Sequence, residues 1–170
     1  MKVDNAAATS ETPAEAVGRV VAVNISPGGI PKHPLEVGVV RTPGIVGDGH
    51  NHDKHNTPMQ ALSLFDTADL EAVKAEGYPL EPGAIGENVT IDGMDVDGLQ
   101  IGDRLRFSGG VEIEITKYRK PCYVLDEIDP TLKKTLVGRC GVYAKVLTEG
   151  ELRPGEMLER TAAAPASTEA

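Results

Sequence analysis

The sequence predicts a mainly β, barrel-like single domain with a few short helices, and three observations carry that prediction. About seven or eight short stretches are rich in β-branched residues or alternate apolar with polar residues, the signature of strands with one buried face. Turn chemistry separates these stretches: the 170 residues include 19 Gly and 12 Pro, with no Trp and only 4% aromatics. Helical periodicity is confined to a minority of the chain, and the length suits one substantial core.

The first 16 residues and residues 161–170 are rich in Ala, Thr, Ser, Pro and Glu with almost no large apolar side chains, so both are expected to be disordered tails around a folded unit of residues 17–160. Gly18 to Ile25 is a β-branched first strand, stopped by Ser26-Pro27-Gly28-Gly29. Leu35 to Arg41 alternates as a second strand, and Ile45 to Asp48 follows as a short extended piece. Met59 to Phe65 is apolar enough for a buried strand or the approach to a helix. Asp66 to Gly77 is the clearest helix, with Asp66 as N-cap, Leu70 and Val73 on one face, and Gly77 as the left-handed stop. Val89 to Ile91 is a strand after a glycine turn. Leu99 to Phe107 alternates with period two, Gly102 marking a bulge, and should form an antiparallel hairpin with Val111 to Tyr118. Val124, Leu125 and Ile128 fit a short helix, and Pro130 opens a second. Val142 to Leu147 is the last long strand, and a brief one closes the chain near Leu158.

Charge and cysteine content limit the function. A net charge of −9 argues against nucleic acid or an anionic membrane as main partner. No stretch approaches the ~20 apolar residues of a membrane span, and the start of the chain lacks the apolar core of a signal peptide. Two cysteines, Cys122 and Cys140, make no dense disulfide scaffold, so a reducing cytoplasm is the expected compartment, although the pair leaves one bridge or a redox couple open. No phosphate loop, dinucleotide fingerprint or serine elbow appears.

Two segments carry candidate chemistry. Arg119-Lys120-Pro121-Cys122 ends a strand and delivers one cysteine, beside two cations, to the start of a helical pattern. Positive charge and a first helical turn both favour the nucleophilic thiolate over the free thiol, whose pKa is about 8.5. The alternative is a small buried thiol beside solvated cations. The second segment, Gly49 to Pro58, holds His50, His52 and His55, three of the four histidines, with Asp48 and Asp53 alongside. Imidazole and carboxylate are ligand types for zinc and similar divalent metals, but a loop presets no ligand geometry, and such histidines also bond backbone or face water.

Five segments in order complete the reading: Gly44 to His55 (G-[IV]-x-G-D and a histidine loop), Gly83 to Asn88 (G-x-x-G-E-N), Ile101 to Leu105 (I-G-D-x-L), Arg119 to Cys122 (R-x-P-C) and Gly141 to Glu156 (G-x-[YF]-A-x-V…G…R-P-G-[DE]). Together these cover nearly the whole folded unit and resemble the MOSC domain family, named for the C-terminal domain of molybdenum cofactor sulfurases and found also as small stand-alone proteins. The resemblance implies a β-rich barrel-like fold and, in members associated with the molybdenum cofactor, a cysteine proposed to hold sulfur as a persulfide, which here would be Cys122. The chain departs from the pattern after His55, where Asn56-Thr57-Pro58 replaces the Gly-Gly of many members, and in its two additional loop histidines.

The expected site therefore comprises Cys122, Arg119, His55 and Glu87 as catalytic groups, with Lys120, Asn88, Asp48 and Arg41 holding a pterin or other small anionic ligand. Arg119 and Lys120 could both pin its anionic group, Arg119 being the better bidentate donor. The expected function is sulfur handling linked to the molybdenum cofactor or to carbon–sulfur chemistry, an enzymatic transfer fed by a sulfur-donor protein. Two alternatives stand beside it: a metal-dependent hydrolase or lyase built on His50, His52 and His55, and a non-catalytic carrier of the cofactor. The sequence is silent on oligomeric state.

Overall fold

The structure, a computed structural model, describes residues 15–49 and 57–161. His50, His52, Asp53 and His55, and the tails 1–14 and 162–170, lie outside the described residues.

Among the described residues eleven strands and two α-helices appear in the order β1 (Glu15–Ile25), β2 (His33–Leu35), β3 (Gly38–Arg41), β4 (Gly44–Ile45), β5 (Leu62–Asp66), α1 (Thr67–Ala75), β6 (Val89–Asp92), β7 (Arg104–Phe107), β8 (Glu112–Tyr118), α2 (Leu132–Thr135), β9 (Val142–Thr148), β10 (Gly150–Leu152) and β11 (Met157–Thr161). Strands β11-β7-β8-β9-β5-β6-β1 hydrogen-bond in that order, and β1 pairs back onto β11. That closure makes a barrel and removes the exposed edges of an open sheet. All its pairings are antiparallel except β5 with β6. Irregular register between Glu15 and Gly18 and between Val20 and Ala22 bends the long β1, which reaches β11, β6 and β2 in turn. Strands β10, β3 and β4 form a small second sheet.

The barrel-like expectation holds, with differences that have physical causes. Strands β2, β4 and β10 have two or three residues each, too few for a local period to announce them. The Leu99–Phe107 stretch is strand only over Arg104–Phe107. Its first half is a turn: Asp103 accepts from the Gln100 amide at 2.8 Å, Gly102 has φ +97°, and Ile101 is half exposed, which breaks the alternation.

Alternation along the walls sorts side chains into two cores. Val20, Val23, Leu62, Leu64, Phe107, Ile113, Ile115, Val142 and Ala144 fill the barrel interior. On its outer face Phe65, Ile85 and Cys140 pack under Leu70 and Val73 of α1, Leu132 of α2, and Leu125. Strand β5 is buried on both faces, Leu62 and Leu64 pointing inward and Phe65 outward. Helix α1 starts where the sequence places it: the Asp66 carboxylate accepts from the Asp69 amide at 2.8 Å and also from the Val96 amide at 2.8 Å. No helix among the described residues is long and apolar enough to cross a membrane.

Candidate functional site

The helical cover does not seal the barrel wall completely. A cleft of about 520 Å³ remains, lined among others by Ser63, Asn88, Arg119, Lys120, Cys122, Cys140 and Tyr143. That volume is in the range of small-molecule sites.

Its floor follows from strand parity. Val142 and Ala144 point into the barrel, so Tyr143 points out, and its cross-strand partner is Ser63 of β5. One wall is the end of β8. The Arg119 amide donates to the Gly141 carbonyl at 2.9 Å, extending the β8–β9 ladder one residue beyond Tyr118 and Val142. Gly141, at φ +90°, lets this end close: a Cβ there would lie 1.9 Å from the Leu64 carbonyl oxygen.

The chain then leaves the ladder and delivers Cys122, partly buried, to the N-cap position of a 3-10 helix over Tyr123–Glu127. The helical element expected after Cys122 is present in this shorter form, and no side-chain capping bond is made there. Lys120 is exposed at the lip, with no ion pair among the described residues.

Arg119 lies deeper. Nη2 donates to the Ile85 carbonyl, and Gly86 leaves room beside it, since a Cβ there would approach Nη2 to 3.2 Å. Nη1 is buried and has no hydrogen-bond partner among the described residues. Burial works against the guanidinium charge, but Cys140, Tyr143 and Glu87 nearby more than offset it, so the pKa stays above the ordinary arginine value. Gln60, also on the cleft, has a buried Oε1 without a partner among the described residues. Arg119 and Lys120 bring positive charge to the cleft, which suits it to a ligand carrying an anionic group. Cys140 borders the same cleft, its thiol pKa raised by burial while Arg119 acts in the opposite sense.

The other sequence candidates are placed differently. Glu87 is fully buried and does not line the cleft. Its Oε2 accepts from the Gly83 amide at 2.8 Å and the Thr90 hydroxyl at 2.7 Å, and burial pushes its pKa up. Asn88 reaches the cleft wall, yet its side chain is occupied: Oδ1 accepts from the Ser63 amide at 3.0 Å, and Nδ2 donates to the Asn24 carbonyl at 3.1 Å and Asp48 at 2.9 Å. Asp48 also takes Lys32 Nζ at 2.6 and 2.7 Å and the Ser26 amide at 3.0 Å. Lys32 lines the cleft; its pKa is lowered by burial, against the pull of Asp48. Thus Glu87, Asn88 and Asp48 tie loops together around the cleft. Arg41 is exposed on β3 and does not border it.

The metal expectation placed on His50, His52 and His55 falls outside the described residues, although Gly49, which precedes them, borders the cleft. Among the described residues, carboxylate oxygens of Asp66, Asp95 and Asp97 come within 4.8 Å of one another. Both Asp66 oxygens there accept backbone amides, and Asp97 Oδ1 accepts from Gly141 at 3.0 Å, so this cluster fastens α1 to the strand end behind the cleft.

Sequence reasoning missed Gln60, Ser63, Tyr143 and Lys32. Ser63 and Tyr143 had a readable signal, each a polar residue between inward-facing apolar neighbours. Gln60 ends a 3-10 helix over Pro58–Gln60 whose direction only the tertiary fold sets.

The MOSC domain profile matches residues 51–159. A relative from Bacillus subtilis (strain 168), "Uncharacterized protein YflK", is 35% identical over 146 residues, covering 77% of this chain and 62% of that protein. A "Reductase" from Gibberella moniliformis is 30% identical over 129 residues, 69% of this chain and 23% of that protein. The chain thus spans less than two thirds of either relative. The YuaD protein of Bacillus subtilis superposes with a TM-score of 0.75 at 18% identity, covering 87% of this chain and 97% of that one, a likeness of fold.

Proposed function

The chain belongs to the MOSC domain family, and from that premise we propose that its cleft handles sulfur at Cys122 next to a bound small anionic ligand. The observation that supports this most is the shared cleft: Cys122 borders it together with Lys120 and with Arg119, whose buried Nη1 has no acceptor among the described residues.

The family is associated in general with the molybdenum cofactor, and the cleft's donor set fits such a group. Arg119 and Lys120 would hold a phosphate or other anionic end, the Gln60 amide oxygen would meet an N–H edge, and the Cys122 thiol offers a soft ligand. When bound, the cofactor supplies the redox and atom-transfer chemistry of molybdenum.

The protein's own step is nucleophilic. The Cys122 thiolate attacks the sulfane sulfur of a donor, a new S–S bond forms on Cys122, the donor's S–S bond breaks, and the donor departs as an anion. Arg119 and Lys120 orient both anions, and the cover over the outer face limits access of bulk water.

Loading with inorganic polysulfide followed by intact mass spectrometry tests this reading. One sulfur should add to the chain on Cys122, Cys122→Ser should take none, and inorganic phosphate should slow the uptake by competing for the cations. Equal uptake by Cys122→Ser would falsify the assignment.

A further inference from the structure

Cys122 and Cys140 are both free, both border the cleft, and reach it from the same end of one antiparallel ladder. The last rung joins the Arg119 amide to the Gly141 carbonyl at 2.9 Å. Cys122 comes three residues after Arg119, and Cys140 comes one residue before Gly141. Antiparallel partners stand about 5 Å apart, so the two cysteines depart from strand ends already in contact. Two further features hold them in the same region. The Leu125 amide donates to the Cys122 carbonyl at 3.1 Å, and the Leu125 side chain shares a buried cluster with Cys140. Their exposures differ: Cys122 is partly open to the cleft, whereas Cys140 is 2% exposed. This asymmetry separates a thiol that meets reagents from one that does not.

We infer that Cys140 is a resolving thiol for Cys122, closing an intramolecular Cys122–Cys140 disulfide that discharges whatever sulfur Cys122 has accepted. The inference rests on the sulfur-loading reading above. The step balances without a further reagent once a sulfane-sulfur donor has loaded Cys122. The Cys140 sulfur attacks Cys122 Sγ, and a Cys122–Cys140 S–S bond forms. The bond from Cys122 Sγ to the outer sulfur breaks, and that sulfur leaves as hydrosulfide with the Cys140 proton. Arg119, beside Cys140, stabilises the attacking thiolate, while burial keeps most of the thiol protonated near neutrality. Resolution is therefore slow at neutral pH and faster in alkali, which leaves the loaded form time to meet an acceptor.

The test uses the full chain loaded with inorganic polysulfide, desalted, and followed by mass spectrometry and sulfide assay at neutral and alkaline pH. Wild type should pass from one added sulfur to a chain short of two hydrogens, with one hydrosulfide released and a Cys122–Cys140 peptide recovered after digestion. Cys140→Ser should keep the added sulfur and release only background sulfide. Cys140→Ala, checked for folding by circular dichroism, should do the same and guards against a defect of the buried serine. A loaded wild type that keeps its sulfur at alkaline pH and never forms the cross-linked peptide overturns the inference. Diamide, which oxidises thiols without donating sulfur, separates the two proposals: closure by diamide with no sulfur uptake from polysulfide retains the couple and removes the loading reading, and no closure with either reagent removes the couple.

Discussion

The Gly83–Asn88 corner and the Arg119–Cys122 lip touch through Arg119 Nη2 and the Ile85 carbonyl, yet they use their polar groups in opposite ways. At the corner, Glu87 and Asn88 spend their side chains on Gly83, Thr90, Ser63, Asn24 and Asp48, joining loops that no ladder connects. At the lip, Arg119 Nη1 has no acceptor among the described residues, Lys120 is exposed, and Cys122 borders open space. Both segments hold the residue types of an active site; what distinguishes them is that the fold has consumed most of the corner's hydrogen-bonding capacity, Glu87 Oε1 being without a partner among the described residues but away from the cleft, whereas the lip residues border it. A polar side chain engaged inside the protein stabilises it, and one that borders open space is placed to meet a ligand.

Four substitutions test that division, the largest effect first. Asn88→Ala removes four side-chain hydrogen bonds, strands buried partners on β5 and at Asp48, and should cost about 3 kcal/mol in urea unfolding. A change below the error of the measurement would mean that the corner is not an anchor. Arg119→Lys retains a charge but loses the planar fork, and should slow polysulfide uptake by about tenfold, the equivalent of about 1.4 kcal/mol. Alkylation of Cys122 by neutral iodoacetamide should hardly change, and a parallel slowing of both reagents would point to a packing defect.

Behind the cleft, the Asp69 carboxyl is pushed up to about 7, first by burial and then by Asp97 beside it. An unfolded aspartate releases its proton near about pH 3.9, so between these values the folded chain binds the extra proton, and stability falls as pH rises through this window. Asp69→Asn should abolish that slope and raise stability at pH 8 by about 1 kcal/mol, well under the full shift because the pair is partly open to solvent. Unchanged pH dependence of thermal unfolding would contradict it. Smallest of all, Lys120→Ala should leave stability within about 0.5 kcal/mol and slow polysulfide uptake about twofold at low salt, an effect that vanishes as salt screens it.

The parts of this division that are legible in the sequence are those with local causes. The β-branched runs of β1, β8 and β9, the Asp66 cap and the Gly77 stop are written in neighbouring residues, and the structure bears them out. Arg119, Lys120 and Cys122 share the cleft because three nearby residues at a strand's end cannot be carried far apart. The inside role of Glu87 is not legible, because an acid in a glycine turn looks the same whether its partners are Thr90 and a backbone amide or a ligand. Position relative to the cleft is a long-range property, and the β5, β9 and β8 walls that set it come from distant parts of the chain.

The strand pairing that closes the barrel places Glu15 opposite Arg160. Entry and exit of the folded unit therefore sit side by side, like the two leads of a plug. Residues 15–161 could be spliced into a surface loop of another protein, or their ends joined and the chain reopened elsewhere, with little strain on the host or the barrel.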